Sequence, residues 1–325
     1  MKRSRIRISL LLALLLLFAL LLCACGQAER SSAQYKIYMI TKSTSTEFWR
    51  SVFAGANAAK AEYNVKLIIR GPDTEENFRG QNEYIREAIR NHADAIVFSA
   101  ISYEENAPVI DEAAKAGIKI VVIDSDVNSS LVSARIGTDN VQAGRITAAA
   151  ALDTDAEHLS VGIVNFALVS RNGEEREIGL RGQLEKDPRV EEIYTVNSIT
   201  DHDAARESAI ALLEEHPEIN ILVGLNEPLG VGVAEASEEL GLKDRVRVIS
   251  FDSNIRCIEL LRSGDVSALI VQNPYAMGYL GVETAWEILE GKSFRPDQLI
   301  DTATTIITRE NMFTVEGQKA LFSFG

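Results

Sequence analysis

The feature that most limits how this chain can fold is a run of short, continuously apolar, β-branched segments separated by helical stretches. From Tyr35 onward the strand candidates are Lys36–Thr41, Val65–Arg70, Ala95–Ser99, Lys119–Asp124, Ala134–Thr138, Val161–Phe166, Ile193–Asn197, Ile219–Leu225, Arg247–Asp252 and Ala268–Gln272. A segment such as Ile120-Val121-Val122-Ile123 has no polar alternation, the pattern of a parallel strand buried on both faces. Between the strands lie helices such as Glu47–Tyr63, Glu76–Asn91, Asn140–Leu152, Ala204–Glu215 and Pro274–Glu290. This alternation predicts an α/β fold with doubly wound parallel sheets. Ten strands crowd a single sheet, so two lobes of five or six strands each are expected. No Pro/Gly/Ser-rich linker separates them, as befits lobes joined by several short crossings.

The N-terminus is basic (Lys2, Arg3, Arg5, Arg7), then apolar from Leu10 to Leu22, then Cys23-Ala24-Cys25-Gly26. This is the layout of a secretory signal, and thirteen apolar residues fall short of the roughly 20 that a spanning helix needs. Leu22-Cys23-Ala24-Cys25 resembles the bacterial lipobox. That resemblance implies cleavage after Ala24, a signal peptide over 1–24, diacylglycerol on Cys25, and a polar tether over 25–34 holding the protein to the cell membrane. The whole sequence carries a net charge of −14; without the leader it holds 29 basic and 47 acidic side chains, a charge of −18. So acidic a surface repels phosphate backbones and argues against nucleic-acid binding. Cys257 lies in an expected helix beside Ile258 and reads as a small core residue. The four histidines are scattered and no CxxC occurs, so neither a zinc site nor any other cofactor is expected.

Ligands of open parallel sheets bind beyond the carboxyl ends of the strands. The residues there are Ser43 to Trp49, Asp124-Ser125-Asp126, Arg171 to Arg176, Asn226-Glu227, Asp252-Ser253-Asn254 and Gln272-Asn273. Carboxylates and amides bind hydroxyl pairs, an arginine donates a fork, and rings cover C–H faces, so the set suits a small neutral polyhydroxy ligand. Each residue also has a plainer reading. Asp252 is equally apt for a helix cap, Asp124 and Asn226 for a turn, Arg176 for a surface pair with Glu175 or Glu177, and at least one of Phe48 and Trp49 for the core.

Thr46-Glu47-Phe48-Trp49, Val122-Ile123-Asp124, Ile136-Gly137-Thr138-Asp139-Asn140, Arg176-Glu177-Ile178-Gly179-Leu180, Gly224-Leu225-Asn226, Val248-Ile249-Ser250-Phe251-Asp252, Gln272-Asn273-Pro274 and Gly281-Val282-Glu283-Thr284-Ala285 stand in the order seen in the ribose-binding-protein-like family of periplasmic binding proteins, type I. The resemblance runs from about Tyr35 to about Thr308. It implies two lobes joined by three hinge crossovers, one of 35–138 plus 273–301 and the other of 139–272 plus 302–325. Carried over, Thr46, Phe48, Trp49, Asp124 and Ser125 bind ligand from the first lobe, Arg176, Asn226 and Asp252 from the second, and Gln272 at the hinge. Ser125 stands where pentose binders of the family commonly have arginine.

The family reading implies a monomeric, lipid-anchored protein that captures a monosaccharide or similar polyol and passes it to an ABC permease. The alternative partner is a sensor kinase or chemoreceptor. A repressor of the related group would need an N-terminal helix-turn-helix in place of this leader. An enzyme finds no GxSxG elbow or metal cluster, leaving only Asp124 and Asp252 as a conceivable glycosidase pair.

Overall fold

The computed structural model describes residues 34–166 and 169–322. The expected signal peptide, Cys25 and nearly all of the expected tether lie outside the described residues. Among those described, no helix is long and apolar enough to cross a membrane.

Two six-stranded sheets organise the chain. In the first lobe, β1 (Lys36–Ile40), β2 (Lys66–Arg70), β3 (Ala95–Phe98), β4 (Lys119–Ile123) and β5 (Ala134–Gly137) alternate with α1 (Glu47–Glu62), α2 (Phe78–Arg90) and α3 (Ala107–Lys115). The second lobe has α4 (Asn140–Leu152), β6 (Leu159–Asn165), α5 (Arg171–Leu184), β7 (Val190–Asn197), α6 (His202–Glu215), β8 (Ile221–Gly224), α7 (Glu227–Glu239), β9 (Arg247–Phe251), α8 (Ile255–Ser263) and β10 (Ala268–Val271). Helix α9 (Pro274–Leu289) and β11 (Leu299–Asp301) return to the first lobe, and β12 (Thr305–Ile307) with α10 (Val315–Leu321) ends in the second.

The sheet orders are β11-β5-β4-β3-β1-β2 and β12-β10-β9-β8-β6-β7. All pairings are parallel except the antiparallel pair β10–β12. Both lobes are thus wound alike, with the first strand beside the third and the order reversing between them. In each lobe that reversal opens a crevice at the carboxyl ends of the strands, where adjacent connections leave in opposite directions.

The expected fold class is what the chain adopts, including the three crossings between sheets. They run side by side. Thr138 Oγ1 donates to Gln272 Oε1 at 2.8 Å, and the Thr302 N–H donates to Gly137 O at 2.9 Å. Strands β11 and β12 were not expected. Each is three residues long, too short to display a period, and each exists because a central sheet offers it an edge.

Each sheet buries apolar residues on both faces, which accounts for the unbroken hydrophobic runs. Cys257 is indeed core, 1 % exposed, and burial raises its thiol pKa. Two helix pairs frame the site, and both use glycine to bring backbones together. A Cβ on Gly144 of α4 would lie 2.1 Å from Arg176 O, and one on Gly179 of α5 would lie 2.0 Å from Val141 O. In the first lobe, Gly55 of α1 meets Tyr275 O and Gly278 of α9 meets Val52 O in the same reciprocal way. These contacts set how close α5 stands to α4 and α1 to α9, and so help fix where Arg176 and Phe48 sit.

Candidate functional site

The carboxyl ends of both sheets face each other across a narrow, nearly shut cleft with a cavity volume of about 30 Å³. Thr46, Phe48, Trp49, Asp124, Arg176, Asn226, Asp252 and Gln272 all line it. Residues spread over more than two hundred positions are therefore gathered in one place, for the reason foreseen: each follows a parallel strand.

Asp124 and Asp252 occupy matching positions, one residue beyond β4 and one beyond β9. Both have left-handed backbones, φ 57° and φ 65°. Asparagine and aspartate tolerate that region better than most side chains, but it remains uncommon and clusters where a side chain must be aimed. Asp124 Oδ2 accepts from Ser99 Oγ at 2.8 Å, and its Oδ1 accepts from Asn172 Nδ2 of the other lobe at 3.2 Å. Asp252 Oδ1 accepts from Gln272 Nε2 at 2.8 Å. Asp252 does not cap α8; Asn254 does, accepting from the Cys257 N–H at 2.7 Å.

Arg176 is no surface residue. It is 1 % exposed, with Nε on Asn140 Oδ1 at 3.0 Å, Nη1 on Leu225 O at 2.8 Å and Nη2 on Gln272 Oε1 at 2.8 Å. Its guanidinium lies 4.5 Å from the centre of the Phe251 ring. Three of its five N–H groups are thereby fixed, leaving one on each Nη to donate elsewhere. Burial lowers its pKa, and Asp252 and Asp124 oppose that. Burial likewise raises both aspartates: Asp252 goes up to about 6, with Arg176 holding it down from higher, and Asp124 goes up against the pull of Lys42 and Arg176.

Asn226 is a helix cap where a turn residue was the plainer expectation: it accepts from the Leu229 N–H at 3.0 Å at the start of α7, and it also lines the cleft. Thr46 likewise caps α1. Trp49 is the core member of the aromatic pair, 1 % exposed with Nε1 donating to Glu75 Oε1 at 2.9 Å; Phe48 is half-buried and stands edge-on to it. Ser125 does not line the cleft. With Asp124 left-handed the chain reverses there: the Ser125 N–H donates to Ile123 O, and its hydroxyl lies 3.3 Å from Ser170 Oγ.

Two charged residues of the cleft, Lys42 and Glu75, were not singled out, and Glu227 was named beyond the eighth strand but not carried into the expected site. Lys42 pairs with Glu75 at 2.9 Å, approaches Ser170 Oγ at 3.3 Å, and lies 5.0 Å from the Phe166 ring centre. Glu227 is 7 % exposed, and burial pushes its carboxyl up to about 7. Lys42 was within reach of the strand-end rule, since it lies two residues beyond Ile40. Glu75 was not, because a loop carries it back to the cleft from β2. Among the described residues no cluster of side chains is arranged to hold a metal ion.

A profile of the periplasmic binding protein domain matches residues 37–293, most of the chain. The chain belongs to the periplasmic binding protein family. As such it is an extracytoplasmic binding protein, not an enzyme. Among curated members of this family, the D-ribose/D-allose-binding protein of Pseudomonas aeruginosa is 25 % identical over 285 residues, covering 84 % of this chain and 88 % of the relative. The ribose import binding protein of Bacillus subtilis is 26 % identical, covering 81 % and 85 %. Among solved structures, a carbohydrate transporter solute-binding protein from Agrobacterium radiobacter in complex with D-arabinose superimposes with a TM-score of 0.86 at 29 % identity, over 90 % of this chain and all of the other. A sugar transporter from Clostridium phytofermentans gives 0.75 at 32 % identity, over 85 % and 100 %.

Proposed function

We propose that this periplasmic binding protein is a lipid-anchored monomer that captures a monosaccharide between its lobes and delivers it to an ABC importer, with Cys25 carrying the lipid. The observation behind the reading is the pair Asp124 and Asp252. They come from matching points of the two lobes, are held in the same left-handed conformation, and flank one buried arginine. Two carboxylates accept hydrogen bonds from hydroxyl pairs, the free N–H groups of Arg176 donate, and Asn226 and Phe48 supply an amide and an apolar ring. A polyol spanning these groups gains contacts from both lobes only when they are shut, and that difference drives closure. The curated and solved relatives, whose names carry ribose, allose and arabinose, support the sugar class.

The test is calorimetry of the protein with D-ribose, D-allose, D-arabinose and D-galactose, alongside Asp252→Ala. One sugar is expected to bind, and at a hundredfold over its Kd to stabilise the fold by about 2.7 kcal/mol. Asp252→Ala should fold and lose that binding. An unchanged Kd in the variant would remove Asp252 from the site.

A further inference from the structure

Where the lobes meet, Asp124 accepts from the Asn172 side chain as described, and three further carboxylates reach across to main-chain N–H groups. Glu47, the first residue of α1, accepts from the backbone N–H of Ile255, the first residue of α8, at 3.3 Å. Glu227, the first residue of α7, accepts from the Phe48 N–H in the first turn of α1 at 2.9 Å. Glu76 accepts from the Thr200 N–H, just before α6, at 2.9 Å. Among the described residues, every ion pair lies within one lobe. The cations Lys42 and Arg171 cross onto the Phe166 and Tyr103 rings, Lys42 also donating to Ser170 Oγ.

The first two bonds are reciprocal. The carboxylate at the start of α1 sits on the N-terminus of α8, and the N-terminus of α1 receives a carboxylate from the second lobe. First-turn N–H groups have no partner inside their own helix, and the helix dipole favours negative charge there. With the lobes apart, water serves those groups instead. The bonds therefore stabilise the closed arrangement alone.

Glu227 gives the pair a second property. It is 7 % exposed, and among the described residues no cation lies within ion-pair distance of it. Its remaining partner is Asn254 Nδ2 at 3.1 Å. The titratable groups around it are Asp252 beyond β9, Glu47 on α1 and Cys257 on α8; Arg50 on α1 turns to Glu47, and Arg176 on α5 faces Asp252. Closure thus withdraws a carboxylate from water into acidic company. Protonation relieves that, and the acid keeps a carbonyl oxygen for the Phe48 N–H.

We infer that Glu47 and Glu227 form a reciprocal latch between the lobes, that shutting it draws a proton onto Glu227, and that capture by this cleft is therefore stronger in mildly acidic than in alkaline medium. The direction agrees with the raised pKa of Glu227, to about 7 by burial and Asp252. A group that binds its proton more tightly in the closed form favours closure as pH falls through that value. The pH dependence of capture rests on the sugar reading above; the latch does not.

Two measurements on the full chain separate them. In amide exchange without sugar, Glu47→Ala should speed exchange at Ile255 and Glu227→Ala at Phe48 by several-fold, while Glu227→Gln, which keeps the acceptor, should protect Phe48. Unchanged exchange in both alanine variants would overturn the latch; Glu47 is exposed enough that its variant tests this without risk to the fold. In calorimetry at pH 7 in two buffers of different ionisation enthalpy, the sugar that binds among the four above should bring about half a proton with it. Glu227→Gln should lose that uptake and bind more tightly than wild type at pH 8. Equal uptake in both proteins would overturn the proton linkage, whereas no binding by any of the four would count against the sugar reading and leave the exchange result standing.

Discussion

Arg176 can be buried because each of its three nitrogens already holds an acceptor. Its fork reaches an amide oxygen on α4, a main-chain carbonyl at the end of β8 and the hinge glutamine, three acceptors in three directions. A lysine has the charge but only one nitrogen, so at least two of those acceptors would be left short in a site where burial makes that costly. Arg176→Lys should lower stability by about 3 kcal/mol, read as a drop in the urea midpoint at constant slope, and abolish sugar binding. A variant of native stability would mean the fork is dispensable. At this scale the sequence was legible wherever a polar residue lies within two positions of the end of a parallel strand: Asp124, Asp252, Asn226 and Gln272 all obey that rule. Glu75 obeys no local rule, and its place depends on where a loop lands. Ser125 shows the opposite limit: adjacency to Asp124 does not put it in the cleft, because a left-handed residue turns the chain away.

The helices do more than cover the sheets. The α4–α5 and α1–α9 pairs each interlock through a glycine on either side, with carbonyl oxygens where a side chain would be. Adding a methyl group to Gly179 would place it 2.0 Å from Val141 O, and main chain cannot swing aside as a side-chain tip can. Gly179→Ala should therefore force α5 off α4, cost about 2 kcal/mol or more in a denaturant titration, and weaken sugar binding by displacing Arg176. By contrast Gly182, with nothing near its would-be Cβ, should accept alanine without loss. If both substitutions behave alike, the close approach is not what sets the helix spacing. The main helices and ten strands could be read from periodicity and apolar runs, since those signals are local. Strands β11 and β12 could not, because three residues become a strand only through the partner they find.

For the molecule as a whole, the two sheets were foreseeable from the count of buried strands, and the three crossings from the family resemblance. The gathering of acids between the lobes was not, since it depends on how two separately folded halves meet. That gathering has a consequence for stability. Unfolding returns Asp252 and Glu227 to ordinary carboxylate pKa values near 4, whereas in the fold burial holds them up to about 6 and about 7. Between those limits the native state binds more protons than the unfolded chain, so stability must fall as pH rises through this window. A tenfold change in proton affinity corresponds to about 1.4 kcal/mol, which makes the combined effect a few kcal/mol once both groups are ionised. Asp187 runs the other way: its bonds to Arg189 hold it down to about 2, and that contribution is lost only in strong acid. Urea midpoints measured from pH 8 to pH 5 should therefore climb as pH falls, then drop below about pH 4 as the low-pKa carboxylates protonate. Asp252→Asn and Glu227→Gln should each flatten the climb, and do so by raising the alkaline end. Midpoints that stay level from pH 8 to pH 5, or a climb that survives both substitutions, would show that the charge cost does not rest on Asp252 and Glu227.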